Sequence, residues 1–257
     1  MNKKIVFFDI DGTLLDHGKR IPSSTIEAIQ KLKQNNIYVA IATGRAPFMF
    51  EAIREKLGIE SFVSFNGQYV VFEGRTIYNN ALSHDALVNL YNKSMDHNYP
   101  MVFMNEKEMR ASVDKHPYIR ESFESLQFHY PDVDPYFFHN NHIYQALLFC
   151  EEGQENQFVK SADAFDFIRW HHYSCDVLPG GGSKAIGMEK IIEASGLDIG
   201  DSYGFGDGLN DIEMIRETGT GVVMGNGVRE LKEVADYITD DVANDGIAKA
   251  LEQLKLI

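Results

Sequence analysis

Asp9-Ile10-Asp11-Gly12-Thr13 directly follows a run of four apolar residues, Ile5 to Phe8. Aspartates at i and i+2 point the same way on an extended backbone, so both can reach one site. Carboxylates placed like this repel each other unless a proton or a cation intervenes. The pair therefore suits acid–base chemistry or a cation, although Asp-Gly is also a common turn dipeptide. It is not an EF-hand loop, because the third acidic residue and the distal Glu are misplaced. Gly206-Asp207-Gly208-Leu209-Asn210-Asp211 lies just past another predicted strand. Its side-chain oxygens are hard ligands that suit Mg²⁺, and its glycines let backbone approach an ion or a phosphate closely. A dinucleotide-binding loop would need a glycine where Leu209 stands, so that reading fails.

Two further segments could handle an anion. Thr43-Gly44-Arg45 follows a predicted strand and precedes a predicted helix, where a hydroxyl and free N–H groups make an anion site. Thr43 could equally be a simple helix cap. Gly180-Gly181-Gly182-Ser183-Lys184 superficially resembles a nucleotide P-loop, but Ser183 and Ala185 replace its required Gly and Ser/Thr. Lys184 is then either a phosphate-neutralising cation at the start of a helix or an ordinary surface lysine.

The elements that must position these residues alternate between two periods. Residues 4–8 and 37–42 predict buried strands, the first a short continuous apolar run that suits cover on both faces, and 61–65 reads as a third strand. Between them, Pro22 opens a helical pattern carrying Ile26, Ile29 and Leu32, and Pro47 stands where a first-turn proline would start the next helix. Residues 68–72 and 75–78 flank Glu73-Gly74 as a hairpin. After residue 184 the alternation returns, with helices at 184–194, 209–217, 228–234 and 246–254 and strands at 202–205, 221–224 and 237–239. Strands alternating with helices predict a doubly wound parallel sheet, and strand ends are where such sheets place ligands.

Residues 82–183 differ in texture. They hold 17 of the 30 aromatic residues and 8 of the 9 histidines but only 4 of the 21 glycines. That shift predicts a separate domain inserted between two halves of one sheet, residues 1–81 and 184–257. Its aromatics read first as its own core, and its histidines show no metal-ligand spacing along the chain.

The whole chain has 257 residues, 44% of them hydrophobic and 24% charged, and a formal net charge of −14. Fibrous and disordered classes are excluded by that composition. The negative sign disfavours nucleic acid and anionic membranes as partners. Only two cysteines are present, which fits free thiols in a reducing cytoplasm, and no targeting or membrane-spanning run is visible. Nothing in the sequence sets an oligomeric state.

Taken together, the four motifs resemble the haloacid dehalogenase superfamily, specifically its Cof-type phosphatases with a type IIB cap. Met224-Gly225-Asn226-Gly227, Ala235 to Thr239 and Asp245-Gly246 also resemble the Cof pattern. The resemblance implies a Rossmann-like core with an inserted α/β cap that reads the substrate. It implies Asp9 as nucleophile and Asp11 as the acid and base that serves the leaving alcohol and then water. It also implies Mg²⁺ held by Asp9, the Asp11 carbonyl and Asp207, with Asp211 in support. Phosphoryl oxygens would be held by Thr43, Lys184, Asn210 and the amides of Ile10 and Gly44. The expected substrates are small phosphorylated metabolites. A phosphotransferase or phosphomutase, and a non-catalytic phosphate-binding module, are the rival readings.

Overall fold

Four consecutive apolar residues need cover on both sides, and Ile5–Phe8 receives it as β1, one of the two middle strands of an eight-stranded sheet, with every residue buried. The fold is that of a computed structural model whose described residues are 3–126, 128–159 and 164–257. The strands following β1 are β2 (Tyr38–Ala42), β3 (Ser61–Ser64), β4 (Tyr69–Phe72) and β5 (Arg75–Asn79). Then come β6 (Met101–Met104), β7 (Met109–Ala111), β8 (Gln145–Phe149), β9 (Phe165–His171) and β10 (Ser174–Pro179). The last three are β11 (Ser202–Gly206), β12 (Thr220–Val223) and β13 (Tyr237–Ile238). Helices α1 (Ser23–Gln34), α2 (Glu51–Leu57), α3 (His84–Asp96), α4 (Pro117–Ser125) and α5 (Asn156–Val159) precede α6 (Lys184–Ser195). Helices α7 (Ile212–Glu217), α8 (Arg229–Lys232) and α9 (Gly246–Gln253) complete the set.

The chain divides into two compact units. One runs through Arg45 and resumes as Phe50–Tyr78 and Ser183–Ile257; the other comprises Ala46–Met49 and Asn79–Gly182. Composition drew these boundaries at 81/82 and 183/184. The first unit is an eight-stranded sheet in the order β13-β12-β11-β1-β2-β3-β4-β5. The six strands from β13 to β3 are parallel, while β4 runs antiparallel to β3, so the sheet is mixed at one edge. Val6 and Phe8 pack on one face with Leu32 of α1 and Leu251 of α9. Ile5 and Phe7 pack on the other with Met188 of α6 and Met214 of α7. Each fully buried side chain of this size stabilises the fold by roughly 1.5–3 kcal/mol relative to an exposed one.

The second unit is a five-stranded sheet in the order β7-β6-β8-β10-β9, with antiparallel pairings throughout. Phe103, Phe138, Phe158 and Phe165 are buried together with Leu87 and Leu90 of α3. The aromatic enrichment is in large part this core.

Several local expectations shift. Pro47 opens a 3-10 turn, Pro47–Met49, rather than an α-helix, and α2 begins only at Glu51. The segment 209–217 splits into a 3-10 turn, Leu209–Asp211, and α7. The helix expected over 228–234 contracts to the single turn of α8. Among the described residues, no helix is long and apolar enough to cross a membrane.

Candidate active site

The strand order reverses about β1, which has β2 on one side and β11 on the other. A crevice opens at such a switch point, at the carboxyl ends of the strands. Asp9 leaves β1 there, its amide donating to the Phe205 carbonyl at 2.9 Å. Asp207 follows β11 by one residue and Thr43 follows β2 by one, so three adjacent strands deliver three polar side chains to one edge. Gly12 makes the convergence possible. Its φ is +76°, and a Cβ there would lie 2.6 Å from Cγ of Asp207, a contact real side chains do not make.

Asp9, Lys184 and Asp211 form a dry cluster. Lys184 opens α6 behind its Ser183 cap and is only 2% exposed, so it is not a surface lysine. Its Nζ donates to Asp9 Oδ1 at 2.6 Å and to Asp211 Oδ1 at 2.7 Å. Asp9 Oδ2 accepts no hydrogen bond among the described residues. Both oxygens of Asp211 are committed, because Oδ2 accepts from the amides of Asp207 and Gly208 at 3.0 Å each. Burial raises Asp9 to about 7; Lys184 opposes the rise and Asp211 adds to it. Burial works to lower Lys184, but Asp211 and Asp9 outweigh it and the ammonium is held protonated. Asp207 rises to about 6, through burial and then repulsion from Asp211. Carboxylate oxygens of Asp9, Asp207 and Asp211 all lie within 4.8 Å of one another.

Asp11 belongs to a wetter cluster, its side chain 42% exposed. Arg45 grips it through two parallel bonds, Nε to Oδ2 at 2.9 Å and Nη2 to Oδ1 at 2.7 Å, and Lys19 donates to Oδ1 at 2.6 Å. Burial works to raise Asp11, but Arg45 and then Lys19 prevail and hold it below the ordinary carboxylate range.

Thr43 is buried and its Oγ1 accepts from the Arg45 amide at 3.2 Å, so it shapes a loop rather than capping an α-helix. A Cβ on Gly44 would sit 3.0 Å from the amide atoms of Asn66, which leaves the backbone there accessible only because the residue is glycine. Ile10 is buried between the two aspartates. Asn210 is exposed on its 3-10 turn and makes no hydrogen bond among the described residues.

Sequence reasoning gave no role to three residues that the structure brings here: Arg45 and Lys19 through their side chains, and Asn226. The Asn226 amide donates to the Gly12 carbonyl at 2.8 Å and its oxygen accepts from the Val242 amide at 2.9 Å, tying three loops together. Its position between two glycines just past a strand was the available signal.

The sequence profile of the haloacid dehalogenase-like hydrolases matches residues 6–251. YkrA of Bacillus subtilis (strain 168), whose name proposes a phosphatase, is 49% identical over the full length of both chains. A Geobacillus kaustophilus HTA426 protein described as hypothetical superposes with a TM-score of 0.97 at 55% identity, over all of both chains. The sugar phosphatase BT4131, of haloacid dehalogenase subclass IIB, superposes with a TM-score of 0.84 at 30% identity, covering 99% of this chain and 100% of that one. On this sequence match and this fold, the chain belongs to the haloacid dehalogenase-like hydrolases, as a Cof-type phosphatase acting on phosphoric monoesters.

Proposed function

We propose that the protein hydrolyses small phosphorylated metabolites through a phosphoaspartate on Asp9, with Mg²⁺ as its cation. The observation that carries this reading is the state of Asp9: one oxygen is fixed by Lys184, while the other is unengaged at the end of β1. A carboxylate held in one orientation with a free oxygen is a positioned nucleophile.

Asp9 Oδ2 attacks phosphorus as the ester oxygen departs, and Asp11 donates a proton to that oxygen, releasing the alcohol. Water then attacks the phosphoaspartate with Asp11 taking its proton, which returns Asp9 as a carboxylate and frees inorganic phosphate. Lys184 stands beside the attacked group and offsets its charge, while Thr43 and the amides of Ile10 and Gly44 orient phosphoryl oxygens. Asn210 reaches the phosphoryl group only by turning inward from its exposed turn. Asp11 begins ionised in the grip of Arg45 and Lys19. An arriving phosphate dianion competes for those two cations, and loosening their grip lets Asp11 hold the proton it must donate.

The donor set fits a hard divalent cation. Asp207 makes no salt bridge among the described residues, and burial, which penalises its charge, outweighs the attraction of the nearby Lys184. Asp9, the Asp11 carbonyl and Asp207 would hold Mg²⁺, with Asp211 orienting the Asp207 loop through its two amide bonds. Once bound, the ion supplies positive charge against the phosphoryl oxygens.

Relatives name several substrate chemistries. BT4131 is described as a sugar phosphatase, and YcsE of Bacillus subtilis (strain 168), 29% identical, as a 5-amino-6-(5-phospho-D-ribitylamino)uracil phosphatase. We assign reading of the organic portion to the inserted unit and expect breadth among phosphorylated sugars and heterocycles. Two buried free thiols, Cys150 and Cys175, support a reducing cytoplasmic setting. The test is phosphate release by purified protein with Mg²⁺, first from p-nitrophenyl phosphate and then from a panel of sugar, nucleotide and cofactor phosphates. Release from several esters is expected. Transfer to an added sugar without free phosphate would favour a phosphotransferase, and silence across the panel would defeat the reading.

A further inference from the structure

The inserted unit holds eight histidines that show no ligand spacing along the chain, yet its fold brings two of them nitrogen to nitrogen, their rings tilted by 55°. His84 Nε2 lies 3.3 Å from His139 Nδ1, although 55 positions separate them. The pairing is fixed by backbone, since the Leu82 amide donates to the Ile143 carbonyl at 2.7 Å and holds the start of α3 against the segment that carries His139. Both rings are also braced. Nδ1 of His84 faces Asp85 Oδ1 at 3.4 Å, and the His139 ring lies against Phe138, with centroids 4.4 Å apart, and stacks on Tyr136. The two imidazoles open into a cavity of about 320 Å³ whose wall includes His142, Asn140 and Asn141.

We propose that His84 and His139 form a binding site for a late first-row divalent cation, Zn²⁺ being the best fit. Two imidazole nitrogens at about 2.0–2.1 Å from one tetrahedral Zn²⁺ stand roughly 3.3–3.4 Å from each other, which is the separation found here. With the His84 proton on Nδ1, turned to Asp85, and the His139 proton on Nε2, both lone pairs converge on the cavity. A carboxylate on the outer nitrogen of a ligating histidine fixes its tautomer and raises its basicity, the part Asp85 plays. Water completes the coordination. Imidazole ligands select this ion over Mg²⁺, so the site is chemically distinct from the aspartate cluster.

Another cluster in the same unit has the opposite character. Ligand atoms of Cys150, Glu155 and Cys175 approach within 4.8 Å of one another. The Arg169 guanidinium already fills that cluster, donating to Glu155 at 2.6 Å and lying 3.6 Å from Cys150 Sγ, so a metal there would face a fixed positive charge. His84 and His139 have no such cation beside them among the described residues.

The experiment is calorimetric titration of the full chain with Zn²⁺ in excess Mg²⁺, paired with thermal unfolding under the same conditions. The wild type should take up one equivalent of Zn²⁺ and gain in Tm, because a ligand of the folded state stabilises it. His84→Gln and His139→Gln should each weaken uptake at least about 10-fold and abolish the Tm gain, and Asp85→Asn should weaken it roughly 10-fold. Both histidines are exposed, and an unchanged Tm without Zn²⁺ verifies folding of the variants. Nitrogen-15 shifts of His84 Nε2 and His139 Nδ1 on Zn²⁺ addition give a readout independent of stability. No uptake by the wild type, or uptake and Tm gain unchanged in the double variant, would overturn the proposal.

Discussion

Asp9 and Asp11 are two positions apart in one motif, yet their surroundings push them in opposite directions. Asp9 sits in a dry cluster where burial lifts its carboxyl to about 7 despite the Lys184 ammonium. Asp11, half open to solvent, is held low by a bidentate arginine and a lysine. The proposed roles require the reverse, an ionised nucleophile and a protonated acid. A cation beside Asp9 and Asp207, and an anion drawing Arg45 and Lys19 from Asp11, would correct both at once.

The largest effect that can break this contrast is Asp9→Asn. An amide neither attacks phosphorus nor supports a cation, so kcat should fall by at least about 10⁴-fold in steady-state assays with Mg²⁺. Loss within tenfold would remove Asp9 from its role. Asp11→Asn should cost about 10²–10⁴-fold on alkyl phosphates, and less on p-nitrophenyl phosphate, whose leaving group needs little protonation. Equal losses on the two ester types would argue against Asp11 as the acid.

Stability separates the clusters as well. Lys184→Met strands two buried carboxylates, which should cost roughly 3–5 kcal/mol in denaturant unfolding. Lys19→Ala removes an exposed partner and should cost about 1 kcal/mol or less. Similar costs for the two variants would contradict the dry-versus-wet distinction.

The smallest effect is on pH dependence. Because Asp9 and Asp207 are raised to about 7 and about 6, the metal-free folded state keeps protons that the unfolded chain has released. Their contribution to stability is full below the unfolded carboxylate value and is lost as pH rises through about 6 to 7. Without Mg²⁺, Tm should therefore fall from about pH 5 to about pH 8, and Mg²⁺ should offset the fall at the higher pH. Mg²⁺ binding should release protons at about pH 6 and few at about pH 8, measurable by calorimetry in buffers of different ionisation enthalpy. An Mg²⁺ affinity independent of pH over this range would refute the raised carboxyls.

Much of this was legible in the residues. Ile5–Phe8 and residues 37–42 read as buried strands because a parallel sheet covered on both faces leaves no polar alternation. The aspartates read as a site because they follow such strands. Arg45 was in view, but its partner Asp11 is 34 positions away and only the β1–β2 pairing brings them together. Lys184 had two readings in the sequence, surface or site, and its burial is settled by the packing of α6 on the sheet. Pro47 misled for a local reason: proline suits the first turn of any helix, and here the turn is 3-10 and ends at Met49. His84 and His139 were invisible as a pair, since spacing along a chain says nothing of a contact made by loop closure.

The position of β1 beside β11 also has a consequence for the chain's synthesis. Asp9 and Lys184 are 175 positions apart, so at about 5–20 residues per second the lysine is made roughly 10–35 s after the aspartate it neutralises. Throughout that interval β1 has no partner on its β11 side, and its apolar residues wait for α6 and α7 to cover one face. The strands β6 to β10, contiguous in sequence, are complete before β11 exists. A nascent chain of this protein therefore carries a finished inserted domain and an unfinished sheet, and that sheet's first strand is the segment a chaperone would meet.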